Sequence, residues 1–155
     1  MGRSAISFGE VFQQLTGHPP FPWQAALFEA FVSGRFPRSC ELPTGLGKTS
    51  VIPIWLIALA QAPEVVPRRL VYVVNRRTVV DQATTEAGHM RKRLANIDDL
   101  RQRLAALCSA PCDPPLAIST LRGQFADNGE WSADPARPSV IVGTVDMVGS
   151  RLLFS

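Results

Sequence analysis

The run Pro43-Thr44-Gly45-Leu46-Gly47-Lys48-Thr49 constrains this chain more than any other feature. A short segment, Ser39 to Leu42, precedes it, and a long apolar helical pattern, Ser50 to Ala62, follows. Gly45 and Gly47 let the backbone turn sharply and bring its N–H groups close to a phosphate. The helix N-terminus behind them adds partial positive charge and unpaired donors. In a loop of this kind Lys48 reaches the β- and γ-phosphates, and the Thr49 hydroxyl holds magnesium (Mg2+). The strict spacing opens on a glycine, and here Leu42 stands at that position. The competing reading is a chance Gly-Lys-Thr at an ordinary helix start. The strand-then-apolar-helix setting argues against it.

With 155 residues the chain is long enough for one domain with a real core. Hydrophobic residues make up 46% and charged residues 19%, which excludes a disordered chain. A formal charge of +3 is compatible with a polyanionic partner without requiring one. Cys40, Cys108 and Cys112 are odd in number, and no second ligand pair accompanies Cys108 and Cys112. Free or buried cytosolic thiols are the expectation. The start, Met1 to Ser7, is too short for a secretory signal, and Val51 to Ala60 is too short to span a bilayer. The expected location is cytoplasmic, without membrane contact.

Along the chain, Ser7 to Leu15 reads as an amphipathic helix with Ser7 and Glu10 at capping-box spacing and Gly17 as its stop. Pro22 suits the first turn of a second helix that Gly34 ends. Leu70 to Val74 is a continuous β-branched-rich run, the pattern of a strand buried on both faces. Thr78 is placed to cap a helix from Val79 to about His89. A further helical pattern, Met90 to Leu107, either continues it or is broken from it at Gly88. Leu116 to Thr120 and Ser139 to Val142 read as strands, Gly123 to Pro138 as irregular, and Val145 to Phe154 as the start of a helix. The alternation predicts an α/β fold: a parallel sheet with helices on both faces. Residues 1–36 supply N-terminal helices and 37–155 the phosphate-loop core, within one domain.

Several junctions carry chemistry. Gln24, in Phe21-Pro22-Trp23-Gln24, can donate to and accept from one adenine edge, which would select ATP over GTP. The alternative is a surface glutamine beside a core tryptophan. Asn75-Arg76-Arg77-Thr78 follows a strand, at the end of a parallel sheet where ligands bind. Guanidinium groups at an exposed helix start suit a nucleic-acid phosphate, although taken alone they equally suit a solvated helix start. Val142-Gly143-Thr144-Val145-Asp146-Met147 is a similar junction, where Thr144 could cap a helix and touch a phosphate together. Arg122, in Leu121-Arg122-Gly123, is a weaker candidate of the same kind. The basic stretch Arg91-Lys92-Arg93 with Arg101 and Arg103 is diluted by Asp98 and Asp99 and reads as a solvated face. His18 and His89 have no metal or catalytic spacing, Trp55 reads as core, and Trp131 receives no assignment.

Pro43 to Thr49 resembles motif I of superfamily 2 helicases, where the first glycine is often absent, and Phe21 to Gln24 resembles their Q motif. The Asn75 to Gln82 segment resembles motif Ia, and Gly143-Thr144-Val145-Asp146-Met147 motif Ib or Ic. Together with Glu41-Leu42 and Ser119-Thr120-Leu121-Arg122-Gly123, these segments resemble the CRISPR-associated helicase–nuclease of type I systems, over about Phe21 to Phe154. The resemblance implies a RecA-like P-loop NTPase domain, the first of two motor domains. It implies ATP and magnesium as cofactors, with Gln24, Pro43, Thr44, Gly45, Leu46, Gly47, Lys48 and Thr49 around the nucleotide and Lys48 catalytic. It implies single-stranded DNA on Asn75, Arg76, Arg77, Arg122 and Thr144, and a CRISPR surveillance complex as partner in antiviral defence.

The chain departs from the family in two respects. It has no His-Asp pair, so a nuclease domain would lie downstream or on a separate chain. It also has no Asp-Glu pair, whose aspartate would help hold magnesium and whose glutamate would orient water. The expectation is a helicase ATP-binding domain incomplete at its C-terminus, a fragment whose hydrolysis belongs to a longer protein. Three other readings stay open: a non-catalytic nucleotide- or nucleic-acid-binding module, a remnant of a decayed helicase gene, and a restriction-type translocase or RNA helicase. A nucleoside kinase would leave Arg76, Arg77 and Thr144 without a role.

Overall fold

The computed structural model describes residues 4–39, 48–121 and 134–149, with Lys48 described by its backbone. The loop residues Pro43 to Gly47, Arg122, Trp131 and the chain beyond Gly149 lie outside the described residues.

The chain opens with α1, Phe8–Thr16, whose Phe12 and Leu15 are buried. Gly17 ends it at φ +90°, a backbone conformation that costs glycine little and other residues much. Ser7 stands at the N-cap, but its side chain makes no capping hydrogen bond, so the expected capping box does not form. The second helix, α2, Pro22–Val32, begins at the expected proline. A 3₁₀ turn, Lys48–Ser50, then leads into α3, Val51–Gln61. Every residue from Ile52 to Ala60 is buried, so α3 is the centre of the core, surrounded rather than one-sided. The Trp55 indole N–H donates to Pro67 O at 2.8 Å, which satisfies its one polar atom inside that core.

The strands β1, Arg69–Val74, β2, Ala117–Leu121, and β3, Ser139–Thr144, form an all-parallel sheet in the order β1-β3-β2. This is an α/β architecture, and parallel pairing requires the helical crossovers that the sequence supplies. One row of side chains, Leu70, Tyr72 and Val74 with Val140, Val142 and Ile118, packs into the same core as α1, α2 and α3. The central strand is buried at every position before Thr144.

β1 corrects one expectation. It is not buried on both faces: exposure alternates along it, with Arg69, Val71 and Val73 on the exposed side. Among the described residues β1 pairs only with β3, and only its Leu70–Tyr72–Val74 face packs on the core. An apolar run marks a strand, but the number of covered faces is set by what packs on it.

The helix after β1 also differs from expectation. The helix α4, Arg77–Leu94, starts before Thr78, with Arg76 at the N-cap, so Thr78 does not cap it. It passes through Gly88 without a break and stops at Ala95, and α5, Asp98–Ala105, follows with Asp98 and Asp99 in its first turn. Those carboxylates suit the positive helix start and pair with Arg101 and Arg103 at 3.3 and 3.1 Å. The short α6, Val145–Val148, closes the described chain. At Gly143 a Cβ would lie 3.0 Å from the Val148 side chain and 3.1 Å from Leu121 Cβ, so glycine permits the close approach of α6 and β2 to β3.

Cys108 and Cys112 are joined in a disulfide, which replaces the expectation of free thiols. Four residues apart in the loop between α5 and β2, they come within a Cα separation of 6.7 Å, inside the range a disulfide bridges. The same loop is clamped by Arg68, which donates to Leu107 O at 3.1 Å, and Arg137, which donates to Pro114 O at 2.7 Å. Asp134 completes the clamp by accepting from the Ala136 and Ser109 N–H groups at 3.0 Å each. The Ala136 N–H holds the Asp134 carboxyl below its ordinary value of 3.8 against the opposing effect of burial, with Ser109 and the Arg137 charge adding to the lowering. A lowered folded value means that this contribution is present above the ordinary value and is lost as pH falls through the folded one. Asp134→Ala is therefore expected to lower the melting temperature at neutral pH. The deficit should shrink toward zero in acid below the aspartate range, and a pH-independent deficit would rule this account out.

Candidate nucleotide and nucleic-acid sites

A cavity of about 750 Å³ opens where the α1–α2 connection, the start of α3 and one side of α4 meet. That volume is within the range of small-molecule sites. Phe21, Gln24, Thr49 and Ser50 line it from one side, and Gln82 and Glu86 from the other. The rim is fixed by local bonds. Thr16 Oγ1 donates to Phe12 O at 2.7 Å, and Arg93 donates to Leu15 O at 3.2 Å, placing a cation at the C-terminus of α1. His18 packs edge-on against Phe12, with ring centroids 5.9 Å apart.

Gln24 is 1% exposed. Its Oε1 accepts the Phe21 N–H at 2.7 Å, and its Nε2 donates to Ser50 Oγ at 2.6 Å. One buried amide thus ties the start of α2 to the turn that begins α3. Gln24 and Thr49, far apart in sequence, share the cavity. Lys48 starts the 3₁₀ turn that precedes α3, so the helix begins where the glycine-rich run ends.

The other candidates gather at the carboxyl end of the sheet. Val74 and Thr144 are register partners on neighbouring parallel strands, so Asn75, Arg76 and Arg77 leave the sheet beside Thr144. Asn75, Arg76 and Arg77 are exposed and Thr144 is half-buried. Thr144 occupies the N-cap of α6 but makes no side-chain capping bond, contrary to one of its expected roles. Leu121, paired with Gly143, brings the end of β2 to the same end of the sheet.

The basic stretch is mostly structural. Arg93 holds α1, Arg101 and Arg103 pair with Asp98 and Asp99, and Arg103 also donates to Ser4 O at 2.8 Å. Sequence reasoning passed over Ser50 and the α4 wall. Gln82, Glu86, His89 and Arg93 recur at helical spacing on one side of α4, and all line the cavity. That polar stripe was the available signal.

Among the described residues no group of three or more His, Cys, Asp or Glu side chains is arranged to hold a metal, and no helix is long and apolar enough to cross a membrane. No protein-family model matches this chain, and neither a curated protein nor a solved structure does.

Proposed function

We propose that this chain is the ATP-binding portion of a DNA helicase or translocase, a RecA-like P-loop domain acting with single-stranded DNA in CRISPR antiviral defence. The observation that carries the reading is the glycine-rich run ending in Lys48-Thr49 at the start of a buried helix, beside a cavity of nucleotide size. Pro43 to Thr49 receive the triphosphate and Thr49 the magnesium. Thr49 offers a hydroxyl at the cavity, which fits a magnesium ligand of the P-loop type. Bound magnesium would neutralise phosphate charge; the chain's own part is to orient the phosphates along the N–H groups of the loop and α3.

Asn75, Arg76, Arg77 and Thr144 share one end of a parallel sheet, an arrangement that suits a strand of phosphates crossing several strand ends. Arg122, the residue after Leu121 in the sequence, belongs to the same proposal. Arg76→Ala with Arg77→Ala is expected to weaken single-stranded DNA binding and to reduce the slope of log affinity against log salt by about 1.4. A salt slope unchanged by the double substitution would remove these arginines from the interface.

A second reading is a binding module without turnover, which the exposed Asn75, Arg76 and Arg77 at the sheet end would serve without ATP. DNA binding that ignores ATP would favour it over the motor. The surveillance-complex partner and a nuclease domain downstream or on another chain belong to the same proposal.

A further inference from the structure

Cys108 and Cys112 sit where a disulfide has little to stabilise. Both are half-buried, and neither belongs to the hydrophobic core. Four residues apart, they close a ring over Ser109, Ala110 and Pro111, all exposed. A ring this short removes little freedom from the unfolded chain, because a disulfide's effect on that chain grows with the number of residues it encloses. Structural disulfides are the device of small domains without a sufficient core, and this chain packs α3 inside one.

The loop also holds its shape without the disulfide. Just before Cys108, Arg68 donates to Leu107 O at 3.1 Å and reaches Ala136 O at 3.3 Å. Beyond Cys112, Arg137 donates to Pro114 O at 2.7 Å and to Leu116 O at 3.3 Å. Between the cysteines, Asp134 accepts the Ser109 N–H at 3.0 Å. The Cys108 N–H donates to Ala105 O at 3.1 Å, and its sulfur lies 4.0 Å from Leu104 O, which gives the reduced thiol an acceptor. None of these backbone anchors depends on the S–S bond. Two thiols held in this way remain neighbours after reduction, and their partial exposure admits a small reagent.

We propose that Cys108 and Cys112 form a reversible thiol–disulfide exchange site for low-molecular-weight thiols and disulfides, opening and closing within the folded domain. In the reductive direction a small-molecule thiolate attacks one of the two sulfurs. The S–S bond breaks, and the other sulfur leaves as a thiolate that takes up a proton. A second small-molecule thiolate then attacks the mixed disulfide, a small-molecule disulfide departs, and the second protein thiol forms. Two electrons and two protons pass from two small thiols to the protein, and a small-molecule disulfide reverses both steps. The site is independent of the nucleotide and DNA readings above.

The test places the native full chain in buffers of varied reduced-to-oxidised glutathione ratio, traps free thiols with N-ethylmaleimide and weighs the tryptic peptide Leu104 to Arg122. That peptide carries both cysteines and excludes Cys40. Reduced glutathione is expected to take it from no label to two, through a form with one label and one glutathione, and oxidised glutathione to return it. Circular dichroism should stay native throughout, and faster amide exchange on reduction should be confined to the loop between α5 and β2. Asp134→Ala frees the Ser109 N–H and should lower the disulfide-to-dithiol ratio at a fixed glutathione ratio about threefold, somewhat less than one hydrogen bond is worth. A disulfide that glutathione reduces only after denaturant has unfolded the chain would overturn the proposal and make the bond a structural staple. Thiols that fail to pair again in the folded protein would overturn it as well. An unchanged ratio in Asp134→Ala, in protein that remains folded, would remove the backbone anchors as its basis.

Discussion

Lys48→Ala is expected to weaken ATP–magnesium binding about a hundredfold. On the nucleotide reading, Lys48 is the one cation in the run Pro43 to Thr49, and the charge-assisted bonds it would make to two phosphates cannot be replaced by a methyl group. The backbone N–H groups of the loop and the helix start remain, so a residual affinity should persist. Titration calorimetry on both proteins measures the difference directly. Equal affinities would mean that the Gly-Lys-Thr sequence is incidental. The same preparation carries a second expectation: with no Asp-Glu pair to orient water, the 155-residue chain should bind ATP without turning it over. Multiple turnover abolished by Lys48→Ala would refute that part and restore a complete catalytic set.

Ile57→Ala is expected to cost about 2–5 kcal/mol of folding free energy, the range for truncating a large aliphatic side chain in a packed interior. Ile57 is fully buried at the middle of α3, where neighbours on every side limit collapse into the cavity left behind. For a domain of ordinary stability that is a large part of the total. Val71→Ala, on the exposed side of β1, should cost less than about 1 kcal/mol, because its side chain is 40% exposed. Denaturant midpoints of the two variants give the comparison. Equal losses at both sites would contradict the one-sided burial of β1. The contrast is useful because both residues sit in equally apolar runs.

That pair also marks what could be read from the chain directly. The helices that carry their own punctuation were legible: Pro22 begins α2, and Gly17 stands in the left-handed conformation that ends α1. The strands were legible as short β-branched runs, and alternation with helices predicted their parallel pairing. Capping was less legible. Ser7 and Thr144 stand at N-cap positions without making the side-chain bonds that their types permit, and Thr78 lies inside its helix. A hydroxyl at the right position is an opportunity, and whether it is used depends on backbone angles a few residues away. The break between α4 and α5 falls after Leu94, not at Gly88, because packing of Ala87, Met90 and Leu94 carries the helix past its weakest intrinsic residue.

The candidate site divides in the same way. Lys48, Thr49, Gln24 and the residues at the strand ends were named from local patterns, since each pattern spans only a few residues. The meeting of Gln24 with Ser50, the α4 wall of the cavity and the Cys108–Cys112 disulfide were not. By itself the sequence determined the kinds of elements, their order, and the chemistry offered at each junction, because backbone preference and side-chain type are local properties. Only the tertiary structure decided which strand face is covered, which amide is already satisfied, and which distant residues share a cavity. Burial and hydrogen-bond partnership depend on groups brought together from far along the chain, and no local pattern records them.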